Sequence, residues 1–168
     1  MRIRRASKKD IEGVNRLLSQ VLEIHANIRP DIFISGTKKY TDIELAAVFA
    51  NDETPVFVAV DDNENVLGHI FCVIKQPPFC TNMVPIKTLY IDDLCVSEEC
   101  RGQKIGKMLY QYALAYAKEI GCYDITLNVW EGNDRAKKFY ESLGMFVKET
   151  QMEVILDPEQ TIEYPEMV

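Results

Sequence analysis

Apolar residues recur at helical spacing near the start of the chain and then give way to two short apolar runs. Between residues 8 and 26 they stand three or four positions apart, which predicts an amphipathic helix that Pro30 ends. Residues 41–50 predict a second, shorter helix. The apolar runs 56–60 and 66–74 flank a polar turn, so they predict a β-hairpin.

The second half of the chain alternates between strand and helix patterns. Residues 104–120 carry apolar positions at i, i+3 and i+4 with charged residues between them, and Gly121 marks the end of this helix. A further helix, capped by Asn133 and stopped by Gly144, follows it. The strands predicted in this half are 87–96, 123–130, 146–147 and 152–156.

With a short strand at the N-terminus, this order of elements predicts an α+β fold in which helices flank a central, mostly antiparallel sheet. Residues 87–130 form a strand–helix–strand unit, so its two strands are expected to run parallel. We expect one domain over residues 1–157 and an acidic C-terminal tail over 158–168.

Composition narrows the class of protein. The chain has 168 residues, of which 47% are hydrophobic, enough for one domain with a core. Its net charge of -7 argues against nucleic acid and anionic membranes as partners. We expect neither a transmembrane helix nor a signal peptide, because no long apolar run is present and no apolar region follows the basic N-terminus. Five scattered cysteines without a C-x-x-C pair indicate reduced thiols in a cytoplasmic protein and no metal site.

A basic turn with two glycines, RGQKIG at residues 101–106, stands at a predicted strand-to-helix junction. A helix N-terminus exposes unpaired N–H groups and the positive end of the helix dipole. Arg101, Lys104 and Lys107 oppose that dipole, so helix stability does not explain them, whereas a bound phosphate would. The glycines would let the backbone approach such a ligand closely. Taken alone, the turn is equally compatible with ordinary surface lysines, and it matches neither the P-loop nor the dinucleotide-binding pattern.

A second stretch, NDRAKKFYESLG at residues 133–144, places a tyrosine on the apolar face of a helix. Tyr140 shares this face with Phe139 and Leu143, so from this stretch alone we favour a core tyrosine with its hydroxyl at the rim. A phenol at the rim of a cleft that ends in a phosphate site can also donate a proton.

Together, the two motifs resemble the GNAT N-acetyltransferase superfamily over about residues 2–157. The superfamily's signature Q/R-x-x-G-x-G/A, placed after a strand and opening a helix, is matched by RGQKIG after Leu94-Cys95-Val96. Its later block is matched by Asn133, by Phe139-Tyr140 and by Leu143-Gly144-Met145. The two motifs occur in the superfamily's order and on its order of elements, which makes the resemblance specific.

The resemblance implies a sheet with a splayed parallel strand pair that binds acetyl-CoA. It implies transfer of the acetyl group to a primary amine by direct attack, through a tetrahedral intermediate. It assigns proton donation to the departing thiolate to Tyr140, and polarisation of the thioester carbonyl to a backbone N–H of residues 94–96. The residues expected to contact acetyl-CoA are Leu94, Cys95, Val96, Arg101, Gly102, Gln103, Lys104, Ile105, Gly106, Lys107, Asn133 and Tyr140.

The signature departs from the superfamily's pattern at one position, where Lys104 replaces the first glycine. A helical φ would not require glycine there, so the N–H of Lys104 could still face the phosphates. Its ammonium group would then add a positive charge to the site. The alternative is a degraded site that binds CoA weakly.

Two adjacent acids, Asp92 and Asp93, lie inside an apolar strand and are candidates for the general base. Alternation predicts that they point to opposite faces, with Asp92 on the face of Tyr90 and Leu94. We favour Asp92 as the base over a purely structural role. Asp93 and Glu131, which follows the second parallel strand, remain alternatives.

The acceptor amine is expected to bind where the superfamily has its variable wall, before the hairpin. The candidates are His25, Arg29, Asp31 and Phe33, although we favour a helix-end imidazole as the interpretation of His25. The acceptor stays open among polyamines, aminoglycosides, small metabolites and protein amino groups. The alternative function is a non-catalytic acyl-CoA-binding domain of the same fold, and a homodimer is possible in either case.

Overall fold

The strands form a single mixed sheet in the computed structural model, which describes residues 1–78 and 80–160. They are β1 (Arg2–Arg5), β2 (Val56–Val60), β3 (Val66–Lys75), β4 (Thr88–Val96) and β5 (Asp124–Leu127). The sheet has the order β1-β2-β3-β4-β5. Neighbouring strands from β1 to β4 are antiparallel, and β5 pairs with β4 in parallel. This sheet confirms the predicted fold class and the parallel strand–helix–strand unit.

The helices lie close to the ranges that the apolar pattern predicts. They are α1 (Ile11–Ile28), α2 (Asp42–Ala50), α3 (Ile105–Glu119) and α4 (Asp134–Ser142). Short 3-10 turns, Lys8–Asp10 and Glu98–Cys100, precede α1 and the basic turn. Ser7 is the N-cap of the first of these turns, and its N–H donates to the side chain of Asp10 at 2.8 Å.

Each face of the sheet carries its own hydrophobic core. On one face α1 and α2 cover Val56, Val58 and Val60 of β2. On the other face α3 packs against Phe57 and Ala59 of the same strand. Because both faces are covered, every residue of β2 is buried, and this explains why its sequence is a continuous apolar run.

A β-bulge interrupts β4 at the two adjacent acids. Phe71 pairs with Asp93, but the next residue of β3, Cys72, pairs with Ile91, so Asp92 has no partner in the register. An extra residue in a strand shifts the alternation by one position. The prediction that the two acids point to opposite faces is wrong for this reason.

The predicted strands 146–147 and 152–156 are also wrong, because neither segment belongs to a strand in the described structure. Their apolar side chains are largely exposed, with Phe146 at 87% and Val154 at 78%. An ion pair of 3.0 Å between Lys148 and Asp124 is one contact that this part of the chain makes with the sheet. An apolar pattern indicates strand propensity, but a strand also requires a neighbour with which it can pair. The predicted acidic tail from 158 lies outside the described residues from position 161 onward.

Candidate active site

The parallel strands β4 and β5 separate within the sheet and leave an opening. They pair only from Thr88 with Asp124 to Ile91 with Leu127. β4 then continues to Val96, whereas β5 ends at Leu127. The stretch of β4 from Leu94 to Val96 is thus free of a β5 partner, and its backbone borders the opening. This is where a thioester carbonyl could meet a strand N–H group.

The basic turn leads from this stretch of β4 to the start of α3. Gly102 has a φ of 83°, and a Cβ added there would meet no heavy atom within 4 Å. Among the described residues, no protein acceptor is found for the backbone N–H groups from Gly102 to Lys107. Arg101 contacts Glu98 at 3.2 Å, while Gln103, Lys104 and Lys107 are exposed. The turn therefore offers a row of free donors with cationic side chains around it, which is the arrangement that binds phosphate.

Lys104 does not have the helical backbone that the sequence analysis assumes. It is the N-cap of α3, with a φ of 62° and a ψ of 13°, in the left-handed region. A non-glycine residue in this region is strained by about 1–2 kcal/mol. The left-handed backbone explains why glycine is the superfamily's residue at this position, since glycine adopts this conformation without strain. Lys104 adopts the same conformation under strain.

Gly106 connects the two sequence motifs. A Cβ added at Gly106 would lie 3.3 Å from Cζ of Phe139 and 3.6 Å from side-chain atoms of Leu94 and Val96. The first turn of α3 is consequently packed tightly against α4 and β4. Gly106 is needed for this packing, and not only for the approach of a ligand as the sequence suggested.

Tyr140 lies on α4, which begins after its predicted cap. The side chain of Asn133 accepts a hydrogen bond from the N–H of Ala136 at 3.3 Å, as expected for an N-cap. Burial raises the pKa of Tyr140 well above its usual value, and the negative charge of Asp93 adds to the shift. The phenol is therefore protonated at neutral pH, so it can act as a proton donor beside Asp93.

The two acids of β4 have different partners on the same side of the sheet. Asp92 accepts a hydrogen bond from Nζ of Lys39 at 2.7 Å. Asp93 contacts Nε2 of the fully buried His69. Asp92 does not share a face with Leu94, which packs towards α3, and Glu131 is exposed. Burial opposes the charge of Lys39, but the hydrogen bond that Lys39 donates to Asp92 outweighs this effect, so the pKa of Lys39 is raised.

The predicted acceptor residues assemble around a tryptophan. The rings of His25 and Phe33 are 5.1 Å apart, and Phe33 meets Trp130 edge-on at 5.5 Å. Arg29 lies over the Trp130 ring at 5.7 Å and is paired with Asp31 at 2.6 Å. The structure therefore brings all four predicted residues together, with Asp31 acting as the partner of Arg29. Burial lowers the pKa of His25 although the charge of Asp93 opposes this, so the imidazole and the acid lie in one electrostatic environment.

Trp130, Lys39 and His69 also belong to this region, although neither sequence motif includes them. The lone tryptophan of the chain, which lies three residues beyond the end of β5 and is 37% exposed, was a signal for a binding wall. Histidine inside the apolar strand VLGHIFCV was a second signal, because it needs a polar partner when it is buried. Lys39 gave no signal, since its pairing with Asp92 joins residues far apart in the sequence.

The described ranges contain neither of two other kinds of site. Within residues 1–78 and 80–160, no group of three or more His, Cys, Asp or Glu side chains is arranged to hold a metal ion. No helix in that part of the chain is long and apolar enough to cross a membrane.

A sheet with a splayed parallel pair, a phosphate-type turn at the start of the crossover helix and a tyrosine on the next helix define an acyl-CoA N-acyltransferase fold. The family model "Acetyltransferase (GNAT) family" matches residues 19–145. This chain belongs to the GNAT acetyltransferase family.

Similar solved structures agree over nearly the whole chain. A mutant of the BH1408 protein from Bacillus halodurans has a TM-score of 0.88 and 38% sequence identity, covering 93% of this chain and 99% of that one. Glucosamine-6-phosphate N-acetyltransferase from Arabidopsis thaliana has a TM-score of 0.67 and 25% identity, covering 93% of this chain and 98% of that one.

Curated relatives are N-acetyltransferases named for different acceptors. Glucosamine 6-phosphate N-acetyltransferase of Arabidopsis thaliana is 30% identical over 102 residues, which are 53% of this chain and 66% of the relative. The peptidyl-lysine N-acetyltransferase YjaB of Salmonella typhimurium is 30% identical over 115 residues, 68% of this chain and 66% of the relative. The chain thus spans 66% of the length of each of these two relatives.

Proposed function

We propose that this protein is an N-acetyltransferase that moves an acetyl group from acetyl-CoA to a primary amine. The main observation in support of this proposal is the row of free backbone N–H groups from Gly102 to Lys107. This row lies beside the gap between β4 and β5. The phosphates of acetyl-CoA would bind this turn, with Arg101, Lys104 and Lys107 around them. Family membership supports the same co-substrate.

The backbone of residues 94–96 is suited to the thioester end of the ligand. Attack by the amine moves negative charge onto the carbonyl oxygen, and an N–H donor of this unpaired stretch of β4 would stabilise that charge. When the carbon–sulfur bond breaks, Tyr140 would give its proton to the leaving thiolate. Because its pKa is raised, the phenol of Tyr140 carries its proton at neutral pH and has one to give.

The acceptor amine needs a base, because it is mostly protonated at neutral pH. With a pKa of about 10.4, holding it neutral at pH 7 costs about 4.6 kcal/mol. We now propose Asp93 for this role instead of Asp92. An oxygen of Asp92 is already paired with Lys39, and a base role would break that ion pair. Asp93 has no cationic lysine or arginine partner within the described residues and acts electrostatically on both Tyr140 and His25.

The amine is proposed to enter along the wall formed by His25, Phe33 and Trp130. Aromatic faces and edges suit both the alkyl part and the cationic head of an amine. Arg29, which lies over Trp130, carries acidic partners on both sides, Asp31 at 2.6 Å and Glu153 at 2.9 Å. These acids would attract a second cationic group of an acceptor.

Acetyl-CoA binding and turnover can be tested separately. At about 100 times its Kd, acetyl-CoA is expected to add about 2.7 kcal/mol to stability in a thermal-shift titration. Release of free thiol is then followed with a panel containing a polyamine, an aminoglycoside, an amino-sugar phosphate and a lysine peptide. A folded protein that shows no shift contradicts acetyl-CoA binding. A shift without turnover on any amine favours the alternative, a non-catalytic acyl-CoA-binding domain.

A further inference from the structure

His69 is a fully buried histidine that neither sequence motif accounts for. It lies in the middle of β3, on the face covered by α1, and its ring meets Phe71 edge-on at 5.0 Å. Its Nε2 atom contacts Oδ2 of Asp93 on the neighbouring strand. A polar ring in an apolar core costs free energy unless its hydrogen bonds are made. The position therefore calls for a role that a leucine or phenylalanine could not fill.

The hydrogen-bond pattern of His69 selects one tautomer. Nδ1 is buried and has no partner within the described residues, whereas Nε2 faces a carboxylate oxygen. A buried N–H without an acceptor is costly, so the proton belongs on Nε2, where it is donated to Asp93. His69 thus acts towards Asp93 as a fixed, single hydrogen-bond donor.

The bulge at Asp92 is what makes this contact possible. Without the extra residue, strict alternation would place Asp93 on the same face of the sheet as Ile91. The register shift at Asp92 instead pairs Asp93 with Phe71, on the face covered by α1. The side chain of Asp93 is 9% exposed. Its second oxygen, Oδ1, has no hydrogen-bond partner within the described part of the chain, and it is not fully buried. One oxygen is therefore held by His69, and the other is left without a protein partner among the described residues.

We propose that His69 is a positioning residue, which holds Asp93 in the orientation needed to take the proton of the acceptor amine. This rests on the proposed function. The N–H bond of the acceptor ammonium breaks and its proton forms an O–H bond with Oδ1 of Asp93. The nitrogen keeps the electron pair with which it attacks the thioester, while His69 keeps its own proton throughout. When the carbon–sulfur bond breaks, Tyr140 gives its proton to the thiolate. The nitrogen of the intermediate still carries one proton too many for an amide, and this second proton restores the phenol of Tyr140, while Asp93 releases its own proton to solvent.

Other charged and titratable groups surround the pair. The groups near the His69–Asp93 pair are His25 from α1, Lys39 from the segment before α2, Tyr140 from α4, and Asp92 and Cys95 from β4 itself. A change of pH dependence must therefore be assigned with variants at His69 and not inferred from the wild type alone.

The test uses two variants of the full chain, His69→Phe and His69→Gln. Phenylalanine fills the site without a donor, whereas glutamine can still present an N–H to Asp93. With an amine that the wild type acetylates, His69→Phe is expected to lower kcat about 10- to 100-fold, less than loss of the base itself. The acid limb of its kcat/KM profile should move to higher pH, because a buried carboxylate without its donor is harder to ionise. His69→Gln should restore most of both, and the KM for acetyl-CoA should stay within about twofold in each variant.

Thermal shifts with acetyl-CoA show whether each variant still folds and binds its co-substrate. A folded His69→Phe with the kcat and pH profile of the wild type would overturn the proposal. The proposal is also overturned if both variants lose activity equally and in step with their loss of stability. A wild type that acetylates no amine refutes the proposed function instead. The tautomer can be tested without turnover, because the chain has only two histidines. Nitrogen-15 spectra, assigned with His25→Gln, should show His69 protonated on Nε2 and perturbed in Asp93→Asn, and a proton on Nδ1 alone would contradict the assignment.

Discussion

Lys104 occupies a left-handed position that favours glycine, next to the proposed phosphate site. Lys104→Gly is expected to stabilise the free protein by about 0.5–1 kcal/mol, since relief of the strain exceeds the entropy cost of glycine. The same change should weaken acetyl-CoA binding if the ammonium contacts a phosphate, and this loss should shrink at high salt. Denaturation midpoints and Kd values at two salt concentrations measure both effects.

Lys104→Asn is the matched control, because asparagine tolerates a positive φ better than lysine and removes the charge. It should reproduce the weaker binding with part of the gain in stability. Tighter acetyl-CoA binding by Lys104→Gly would instead identify the side chain as an obstruction in a degraded site.

Tyr140→Phe separates a chemical role from a packing role at the second motif. The ring and its packing are retained while one proton donor is lost, so kcat should fall about 10²–10⁴-fold. Stability should change by no more than about 1 kcal/mol, the contribution of one hydrogen bond. Paired measurements of kcat and the denaturation midpoint decide the matter. If kcat is unchanged, water protonates the thiolate and Tyr140 only forms part of the cleft wall.

At the scale of elements, α3 and α4 are coupled through Gly106 and Phe139. Gly106→Val should destabilise the free protein by about 1–3 kcal/mol, because the new side chain must displace the Phe139 ring and the side chains of β4. Phe139→Leu shortens the opposing side chain. The double variant should therefore lose less stability than the sum of the two single losses, with a coupling of at least about 0.5 kcal/mol. Strict additivity in chemical denaturation would show that the two residues do not press on each other.

The order and type of these elements could be predicted from the sequence because they depend on local periodicity. The placement of the two acids could not, since the bulge at Asp92 depends on how β4 aligns with β3 rather than on the pattern of β4 itself. The same limit applies to His69 and Lys39, whose partners are distant in the chain. The turn from Arg101 to Gly106 could be recognised as a motif from the sequence because the motif consists of consecutive positions. The left-handed backbone of Lys104 became evident only from its φ angle.

At the scale of the whole molecule, a buried ion pair joins β1 to the start of α1. Arg4 contacts Asp10 through two hydrogen bonds of 2.8 Å, and Asp10 is 1% exposed. Burial opposes ionisation of Asp10, but the bonds from Arg4 and Ser7 outweigh it and lower its pKa. A lowered pKa in the folded state stabilises the protein above the unfolded value of about 3.9, and this contribution is lost as pH falls through the folded pKa.

Asp10→Asn is therefore expected to destabilise the protein by about 3 kcal/mol at pH 7, where the guanidinium loses its buried partner. As the pH falls through the lowered pKa of Asp10, the difference from the wild type should become smaller, because the wild-type carboxyl is then protonated as well. Urea denaturation of both proteins from pH 7 to pH 2 measures the difference. A gap that is constant over this range would mean that Asp10 acts through its shape and not through its charge.

The segment from Phe146 to Leu156 provides a test of the architecture itself, because its sequence predicts strands whereas the structure leaves it outside the sheet. Val154 is 78% exposed, whereas Val58 in β2 is fully buried between α1 and the sheet. Val154→Ser should consequently change the free energy of unfolding by no more than about 0.5 kcal/mol. Val58→Ser is the matched control and should cost about 2–4 kcal/mol, since it removes buried apolar atoms and buries a hydroxyl. Urea denaturation at several protein concentrations completes the test, because a homodimer remains possible. If Val154→Ser costs as much as Val58→Ser, the segment is packed in solution, and a dependence of that cost on protein concentration would mean that a second copy covers it.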